Sequence, residues 1–270
     1  MSQRSALFAA GVLLSVSFTG TAIAEVGDLR TSVGYSYTDS NYDGGFADAA
    51  DRERYLVTAR GTYTYTDNLK IGLSAGFGNS DADRNAPAFT DTDIETYAVN
   101  ASYRVNDNWS AFAGIGYTEL DTDGVDPFGT RFSTDGDGFS YVGGAVFNKE
   151  VSENAFFLLS GSVAYSEIDT DTFTSGVPGN ELSVTTITVS PEFGVVRGAY
   201  TFTAGSSFIR ANRDVRFVND PTRFEGSIGV SYDAGNDWFI NAHVNRNFAE
   251  QATDTTRFNL NISKTINLLN

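Results

Sequence analysis

The chain has 270 residues, a formal charge of −16, a single histidine and no cysteine. Such an acidic protein is unsuited to the phosphate backbone of nucleic acids, so we expect no nucleic-acid partner. Without cysteine there are no disulfides and no thiolate metal ligands. The 27 glycines and the 13% of aromatic residues favour β-structure.

Residues 1–24 have the pattern of a secretory signal peptide. Arg4 precedes the apolar run "ALFAAGVLLSVSF", and Ala22-Ile23-Ala24 gives the small-x-small order of a cleavage site. The run is too short to span a membrane comfortably as a helix, and no later apolar run is longer. We therefore predict a mature region of 25–270 that is either soluble or crosses a membrane as a β-barrel.

From residue 28 onward the chain alternates between apolar and polar residues. In "LKIGLSAGF" (69–77), Leu, Ile, Leu, Ala and Phe occupy one face and Lys, Gly, Ser and Gly the other, as expected for a strand with two unlike sides. About twelve such segments follow one another, each long enough to cross a bilayer when tilted. In chain order they cover roughly 28–38, 54–66, 69–79, 94–105, 109–119, 138–148, 155–167, 183–196, 199–210, 223–234, 238–249 and 256–268.

Short and long connections alternate between these segments. The short ones carry Asn, Asp and Gly, which suit tight hairpin turns. They lie at Asp67-Asn68, Asn106–Asn108, Val151–Asn154, Arg197-Gly198 and Gly235–Asp237. The long ones are polar and are expected at 39–53, 80–93, 120–137, 168–182, 211–222 and 250–255. This asymmetry is typical of transmembrane barrels, with short turns on the periplasmic side.

Aromatic residues on the apolar face gather at both ends of the segments. Tyr103, Trp109 and Trp238 lie near short turns, whereas Tyr37, Tyr97 and Phe248 lie near long loops. Two aromatic girdles around an aliphatic belt indicate a wall that faces lipid. The alternative is a soluble β-sandwich, which would bury its large aromatics in mid-strand.

Together these features resemble the Gram-negative outer-membrane β-barrels, at the level of the class and over the whole of 25–270. The resemblance implies an all-β, up-and-down antiparallel transmembrane barrel of about twelve strands, with ten or fourteen as alternatives. It also implies export to the bacterial outer membrane and contact with its lipid and lipopolysaccharide. One departure is the C-terminus, which is Asn270 where such proteins usually end in an aromatic residue.

The segment "WFINAHVNRNF" (238–248) indicates the role of the polar face of the strands. Amide and imidazole side chains occupy every second position, with Ile240, Ala242 and Val244 between them. In a barrel the polar set faces the interior. The full set of predicted lumen residues is Arg30, Arg54, Arg60, Lys70, Arg104, Glu192, Glu225, Asn241, His243, Asn245, Arg257 and Asn259.

Charge in this predicted lumen is divided between walls. The basic residues lie on the first four segments and the last one, whereas Glu192, Glu225 and Asp233 lie on segments eight and ten. Opposed charges across a narrow passage would orient and select small hydrophilic solutes, as in porin-like channels. Alternatively, the charges pair with one another and fill the lumen as a closed plug.

Most of the acidic residues fall in the predicted long loops. "DTDGVD" (121–126) and "DGDG" (135–138) resemble fragments of calcium loops but lack the spacing and the closing glutamate. They predict either weak binding of divalent cations, bridging to lipopolysaccharide, or a solvated and self-repelling surface. A basic cluster, Arg210, Arg213, Arg216 and Arg223, is expected to contact lipid phosphates or neighbouring acidic loops.

Two irregularities are expected within strands. Pro191 lacks an N–H group and predicts an interruption of a hydrogen-bond ladder. Lys264 falls on the lipid face, where it is tolerated only near an interface.

Catalysis is not expected. Hydrolytic outer-membrane barrels of the phospholipase type place a serine two residues after their histidine, but Asn245 follows His243 here. No serine–histidine–carboxylate arrangement and no cofactor or metal motif can be traced. The leading hypothesis is a small porin-like channel for passive passage of hydrophilic solutes. A closed structural or surface-interaction barrel with cation-binding acidic loops is the alternative, and a lipid- or peptide-hydrolysing barrel is less favoured.

Overall fold

The computed structural model describes residues 25–42, 50–84, 88–126, 128–171, 181–213, 222–248 and 253–268. The predicted signal peptide, 1–24, and Asn270 lie outside these ranges. The described residues form twelve strands: β1 (Asp28–Tyr42), β2 (Ala50–Thr64), β3 (Leu69–Arg84), β4 (Phe89–Arg104), β5 (Trp109–Val125), β6 (Arg131–Ser152), β7 (Ala155–Thr170), β8 (Glu181–Arg197), β9 (Tyr200–Arg213), β10 (Thr222–Gly235), β11 (Trp238–Phe248) and β12 (Thr253–Asn267). Within the described ranges, no helix is long and apolar enough to span a membrane.

The strands form one closed antiparallel barrel in which each strand pairs with its neighbours in sequence and β1 pairs with β12. The closing ladder runs from Asp28 opposite Asn267 to Tyr42 opposite Thr253. Inside it, Arg30 Nη2 donates a hydrogen bond of 2.9 Å to Ser263 Oγ, a residue 233 positions away. The predicted fold class and the strand number of twelve are confirmed.

Short turns join β2 to β3, β4 to β5, β6 to β7, β8 to β9 and β10 to β11, at the predicted places. The β10–β11 turn needs left-handed backbone at three successive residues, Gly235 (φ 77°), Asn236 (φ 52°) and Asp237 (φ 65°). Glycine, asparagine and aspartate adopt this conformation at the lowest cost. In the β2–β3 turn, Thr66 Oγ1 accepts a hydrogen bond of 3.0 Å from the Leu69 amide.

At their long-loop ends the strands are longer than predicted. The expected loops 80–93 and 120–137 are wrong over most of their length, because β3 continues to Arg84, β4 starts at Phe89 and β5 ends at Val125. β6 is the longest strand, with 22 residues. An acidic composition suggested loops, but acidic residues there still alternate with hydroxyl and apolar ones, as in "DTDIET" (91–96). Strand pairing satisfies the backbone and places every acidic side chain on one face.

The outer face of the barrel has the two predicted aromatic girdles. Near the long loops, Tyr117 and Phe139 pack with ring centroids 5.1 Å apart. At the short-turn end, Trp109 and Phe147 pack at the same centroid separation of 5.1 Å. Between the girdles the outward side chains are aliphatic and exposed, for example Leu73 at 60% and Val33 at 58%. This surface suits a lipid environment rather than water.

The two predicted irregularities appear in the ladder and at the short-turn girdle. Between β8 and β9, Val189 pairs with Phe208, and the next pair is Glu192 with Gly205. Pro191 therefore falls in a gap of the ladder. The Ser190 and Ser207 hydroxyls bridge this gap at 2.7 Å. Lys264 Nζ lies 5.1 Å from the centroid of the Trp238 ring, which places this lysine in the girdle rather than at mid-depth.

Beyond the long-loop girdle, strands β3 to β7 continue as an extracellular extension, comprising 79–84, 89–96, 118–125, 131–138 and 167–171. Its inner face carries buried hydroxyl and aliphatic side chains, among which Ile94, Leu120 and Ile168 form an apolar cluster. Leu120 and Ile168 lie on either side of β6, where Gly138 faces inward opposite Ile168. A side chain at Gly138 would collide with the backbone of Glu167 and Ile168, so glycine allows the wall to bend here.

The outer face of the extension is an acidic collar. Strand pairing sets Asp121 directly opposite both Asp93 and Asp135, and Glu119 opposite Glu95 and Asp137. Asn79 Nδ2 donates to Asp91 and, at 3.2 Å, to Asp93. The collar comprises Asp81, Asp83, Asp91, Asp93, Glu95, Glu119, Asp121, Asp123, Asp135, Asp137, Glu167 and Asp169.

Candidate functional site: the lumen of the barrel

The β11–β12 wall presents a ladder of amide and imidazole groups to the interior. Asn241 lies opposite Asn261, His243 opposite Asn259, and Asn245 opposite Arg257. These side chains are half-buried, whereas Ile240 and Val244 on the other face are 38% and 36% exposed. Partly accessible amides on an inner wall can hydrogen-bond to water or to a polar solute.

Asn241 and His243 each retain hydrogen-bonding capacity in this ladder. Asn241 Nδ2 and His243 Nε2 are buried and have no hydrogen-bond partner among the described residues. The side chains next to His243 on its own face are the amides of Asn241 and Asn245, and the residue opposite it is Asn259. These surroundings suit polar contact with water or a solute.

Basic side chains occupy the short-turn half of the lumen on β1 to β4. The Arg30 guanidinium lies 5.3 Å from the centroid of the Phe239 ring and donates to Ser263. Arg104 is exposed near the short turns, where its Nε donates to Asn68 Oδ1 at 3.2 Å. Arg60 lies opposite Ser32 and Ser74, and Lys70 lies opposite Thr64 and Ser102. The inner wall at this end therefore combines positive charge with hydroxyl and amide groups.

At the level of the long-loop girdle, three further arginines come together. Arg54 lies opposite Thr38 of β1, which in turn lies opposite Arg257 of β12. Arg52 follows on the same face of β2, and Arg52 and Arg54 are only 8% and 6% exposed. Arg52 was not among the predicted lumen residues, because it fell in the predicted loop 39–53. Arg52 alternates with Glu53 and Tyr55, and this pattern could have indicated that it shares the inner face with Arg54.

The inward carboxylates are distributed differently from the expectation of opposed walls. Glu225 on β10 forms a salt bridge of 3.1 Å with Arg223 Nε, and it lies only two strands from Arg257. Glu192 is on β8, across the twelve-strand ring from β2. Asp233 lies near the β10–β11 turn, where its Oδ1 accepts from the Gly235 amide at 2.9 Å. Of the three predicted inward carboxylates, Glu192 is the one on the strand directly across the ring from β2.

Two members of the predicted basic cluster, Arg210 and Arg223, lie on opposite faces of the wall. Arg223 points inward to Glu225, whereas Arg210 is on the exposed outer face of β9. Arg216 and the side chain of Arg213 lie outside the described residues. Strand β10 begins at Thr222, and the alternation of the strand turns Arg223 towards the interior.

The acidic segments that resembled fragments of calcium loops lie on strands. They form no compact metal site in the part of the chain that the structure describes. No group of three or more His, Cys, Asp or Glu residues there has the arrangement of a metal centre. A groove on the collar, with a volume of about 460 Å³, is bordered by Asp93, Glu119, Asp121 and Asp135.

Several solved structures share this architecture. The chain is similar to the translocator domain of the autotransporter NalP from Neisseria meningitidis, with a TM-score of 0.72, 15% identity and coverage of 92% of this chain and 90% of that one. It is also similar to the beta domain of the Bordetella autotransporter BrkA, with a TM-score of 0.69, 13% identity and coverage of 89% and 100%.

An outer-membrane channel from Pseudomonas putida F1 is a third structure of this kind, with a TM-score of 0.61, 15% identity and coverage of 90% of this chain and 97% of that one. Identities this low indicate a shared fold alone. None of the curated proteins compared with the chain matches it in sequence.

The family comparison agrees with the strand topology. Residues 8–193 match the family described as outer membrane protein beta-barrel domain. This stretch is more than half of the chain and includes β1 to β7 and most of β8. The protein is therefore a member of the outer membrane protein beta-barrel family and resides in the bacterial outer membrane.

Proposed function

We propose that this barrel is a small channel for the passive passage of hydrophilic solutes and that its lumen favours anions. The observation that carries the proposal is the charge of the inner wall. Along β1 to β4 and β12 the described inward side chains include Arg30, Arg52, Arg54, Arg60, Lys70, Arg104 and Arg257, with Asp28 as a carboxylate at the short-turn end. A positive, partly accessible wall lowers the electrostatic barrier for anions and raises it for cations.

The similar barrels support a transport role in general terms. One is named as an outer-membrane channel and another as the translocator domain of an autotransporter. We also propose a role without catalysis, because the neighbours of His243 along β11 and opposite it on β12 are the amides of Asn241, Asn245 and Asn259.

We further propose that the acidic collar lies beside the head groups of lipopolysaccharide, because it faces outward just beyond the girdle. Carboxylates directly opposite one another repel across the strands, and anionic head groups would add to that repulsion. We therefore expect divalent cations to accumulate there as diffuse counter-ions rather than in a defined site.

A closed barrel is the second candidate, and the inner face of the extension favours it. Ile94, Leu120 and Ile168 are 3%, 4% and 3% exposed and contact one another. Aliphatic side chains packed together inside the mouth can exclude water and so close a passage. In this alternative the protein acts through its collar, as a structural or surface-interaction barrel.

Planar-bilayer recording of the refolded mature region, 25–270, separates the two candidates. Folding is checked first by a change of gel mobility on boiling. Stepwise conductance, with a reversal potential in a salt gradient that indicates anion preference, would support the channel. A heat-modifiable barrel with no conductance would instead favour the closed form. Conductance with cation preference would reject the assigned role of the basic wall.

A further inference from the structure

The lumen holds a second feature besides its general charge, namely the three arginines Arg52, Arg54 and Arg257. They lie on β2 and β12, on either side of β1. Neighbouring strands are about 4.8 Å apart, so Arg54 and Arg257, with Thr38 between them, start from backbones about 10 Å apart. Because the wall is concave on this side, their side chains converge.

The three guanidinium groups influence one another electrostatically. Arg54 lies within range of the charges of both Arg257 and Arg52. Arg257 in turn lies within range of Arg223 and Glu225. Like charges brought together out of bulk water are unfavourable unless an opposite charge accompanies them.

The carboxylate whose charge acts on Arg257, Glu225, already has a partner. Glu225 is bonded to Arg223 at 3.1 Å, and their side chains are 11% and 27% exposed. Meanwhile Arg257 Nε is buried and has no hydrogen-bond partner among the described residues. Hydrogen-bonding capacity on the guanidinium of Arg257 is therefore left for a further group.

The polar surroundings of the cluster suit an oxyanion. Thr38 lies between the two arginines, and Ser40, opposite Arg52, shares a hydrogen bond of 3.1 Å with Thr255. Ser80 of β3 lies opposite Arg54, and Thr92 of β4 lies opposite Ser80. Both residues are buried, with exposed fractions of 7% and 4%. Planar guanidinium groups bind carboxylate and phosphate oxygens through paired hydrogen bonds, and hydroxyls complete such sites.

We propose that Arg52, Arg54 and Arg257 form an oxyanion-binding site in the lumen at the level of the long-loop girdle, which takes the carboxylate or phosphate group of a small solute. The site specifies the class of solute for the proposed channel, and its physiological role rests on that proposed function. A solute captured there is held just inside the extracellular mouth, before it reaches Arg60 and Arg104.

Thermal unfolding of the refolded chain in detergent tests the site without requiring conductance. The midpoint is measured by heat-modifiable gel mobility during titration with sodium phosphate or sodium succinate, at ionic strength held constant with sodium chloride. We expect both oxyanions to raise the midpoint. Arg54→Gln and Arg257→Gln should weaken the apparent affinity at least about tenfold. Arg197→Gln, which removes an exposed arginine at the β8–β9 turn, should leave it within about twofold.

The outcomes separate the site from the channel. A midpoint shift that the two lumen variants lose supports the site even if no conductance is found. Conductance without any midpoint shift leaves the channel and removes the site. An equal shift in all variants, or one that chloride reproduces, would overturn the proposal.

Lysine variants provide the second test, in case the glutamine variants fail to refold. Arg54→Lys and Arg257→Lys keep the charge but lose the paired donors of the guanidinium. We expect each to weaken oxyanion binding several-fold, and unchanged affinity in both would contradict recognition by arginine. A larger shift with phosphate than with succinate would assign phosphate-bearing solutes to the site, and the reverse would assign carboxylates.

Discussion

The membrane-spanning part of the barrel and its extracellular extension use the same strands with opposite polarity. Between the girdles, β4 places Val99 outward and Asn100 inward. Beyond the long-loop girdle, the same strand places Asp93 outward and Ile94 inward. The alternation continues without interruption, because the backbone ladder requires it, while the surrounding medium decides which residue type each face carries. A strand can therefore pass from lipid to water without a break, provided that its side chains exchange faces.

The largest effect is expected inside the extension. Leu120→Ala removes a side chain that is 4% exposed and packs with Ile94 and Ile168, so unfolding free energy should fall by about 2–5 kcal/mol. The control, Leu73→Ala, changes a leucine that is 60% exposed between the girdles. Its cost should be about 0.5 kcal/mol. Denaturant unfolding in lipid vesicles measures both, and equal losses would mean that the extension has no packed interior.

A charge placed on the two outer faces of β4 should have unequal consequences. Val99→Lys introduces a cation opposite Leu73 and Ile115 on the lipid face, with an expected loss of about 2–4 kcal/mol. Asp93→Lys, six residues away in the collar, faces Asp121 and should be neutral or stabilising by up to about 1 kcal/mol. Vesicle unfolding of the two variants gives the difference directly. Similar losses would place the collar inside the bilayer.

The inner wall allows a functional comparison between its basic and amide sides. Replacing both Arg60 and Arg104 with Ala removes two positive charges from the short-turn half of the lumen. The reversal potential in a salt gradient should then move toward cation preference. The matched change on the amide side, Asn259→Ala with Asn261→Ala, should leave the sign of selectivity unchanged. If the potential does not change in the arginine variant, these residues are not part of the conducting path.

The smallest effect is expected from a single collar carboxylate. Slight desolvation by its strand neighbours, followed by the charge of Asp135, raises the pKa of Asp121 above its ordinary 3.8. A carboxyl whose pKa is raised by folding prefers to stay protonated in the folded state. Its contribution to stability is therefore fullest below pH 3.8 and is lost as pH rises through the folded-state pKa.

Asp121→Asn should accordingly stabilise the barrel at pH 7 by roughly 0.2–1 kcal/mol, and less at high salt. Asp107→Asn, in the short β4–β5 turn, removes the same charge away from the collar and serves as the control. Denaturant unfolding at pH 7 in low and high salt measures both changes. A stabilisation as large in the control would attribute the effect to net charge rather than to the carboxylates opposite Asp121.

The strand pattern could be predicted from the sequence because every strand has one apolar face between the girdles. The ends of the strands were not predicted correctly. The acidic residues in "DTDIET" and "ELDTDG" were assigned to loops because of their composition, although they alternate as in a strand. The same error placed Arg52 in a loop and so concealed the arginine cluster. The pairing of Arg223 with Glu225 follows from the same alternation, since both residues lie on the predicted segment 223–234, but Arg223 was grouped instead with arginines near it in sequence.

Barrel closure by β1 and β12 also constrains the order of events in folding. The contact between Arg30 and Ser263 closes a loop of 233 residues, which costs about 5 kcal/mol of chain entropy in the ideal-chain expression. Closure is therefore slow unless the intervening hairpins have already brought the two strands near each other. Until then β1 and β12 are free edges that can pair with another chain. The ladder that completes the barrel is thus formed at the stage when an unfinished chain is most exposed to aggregation.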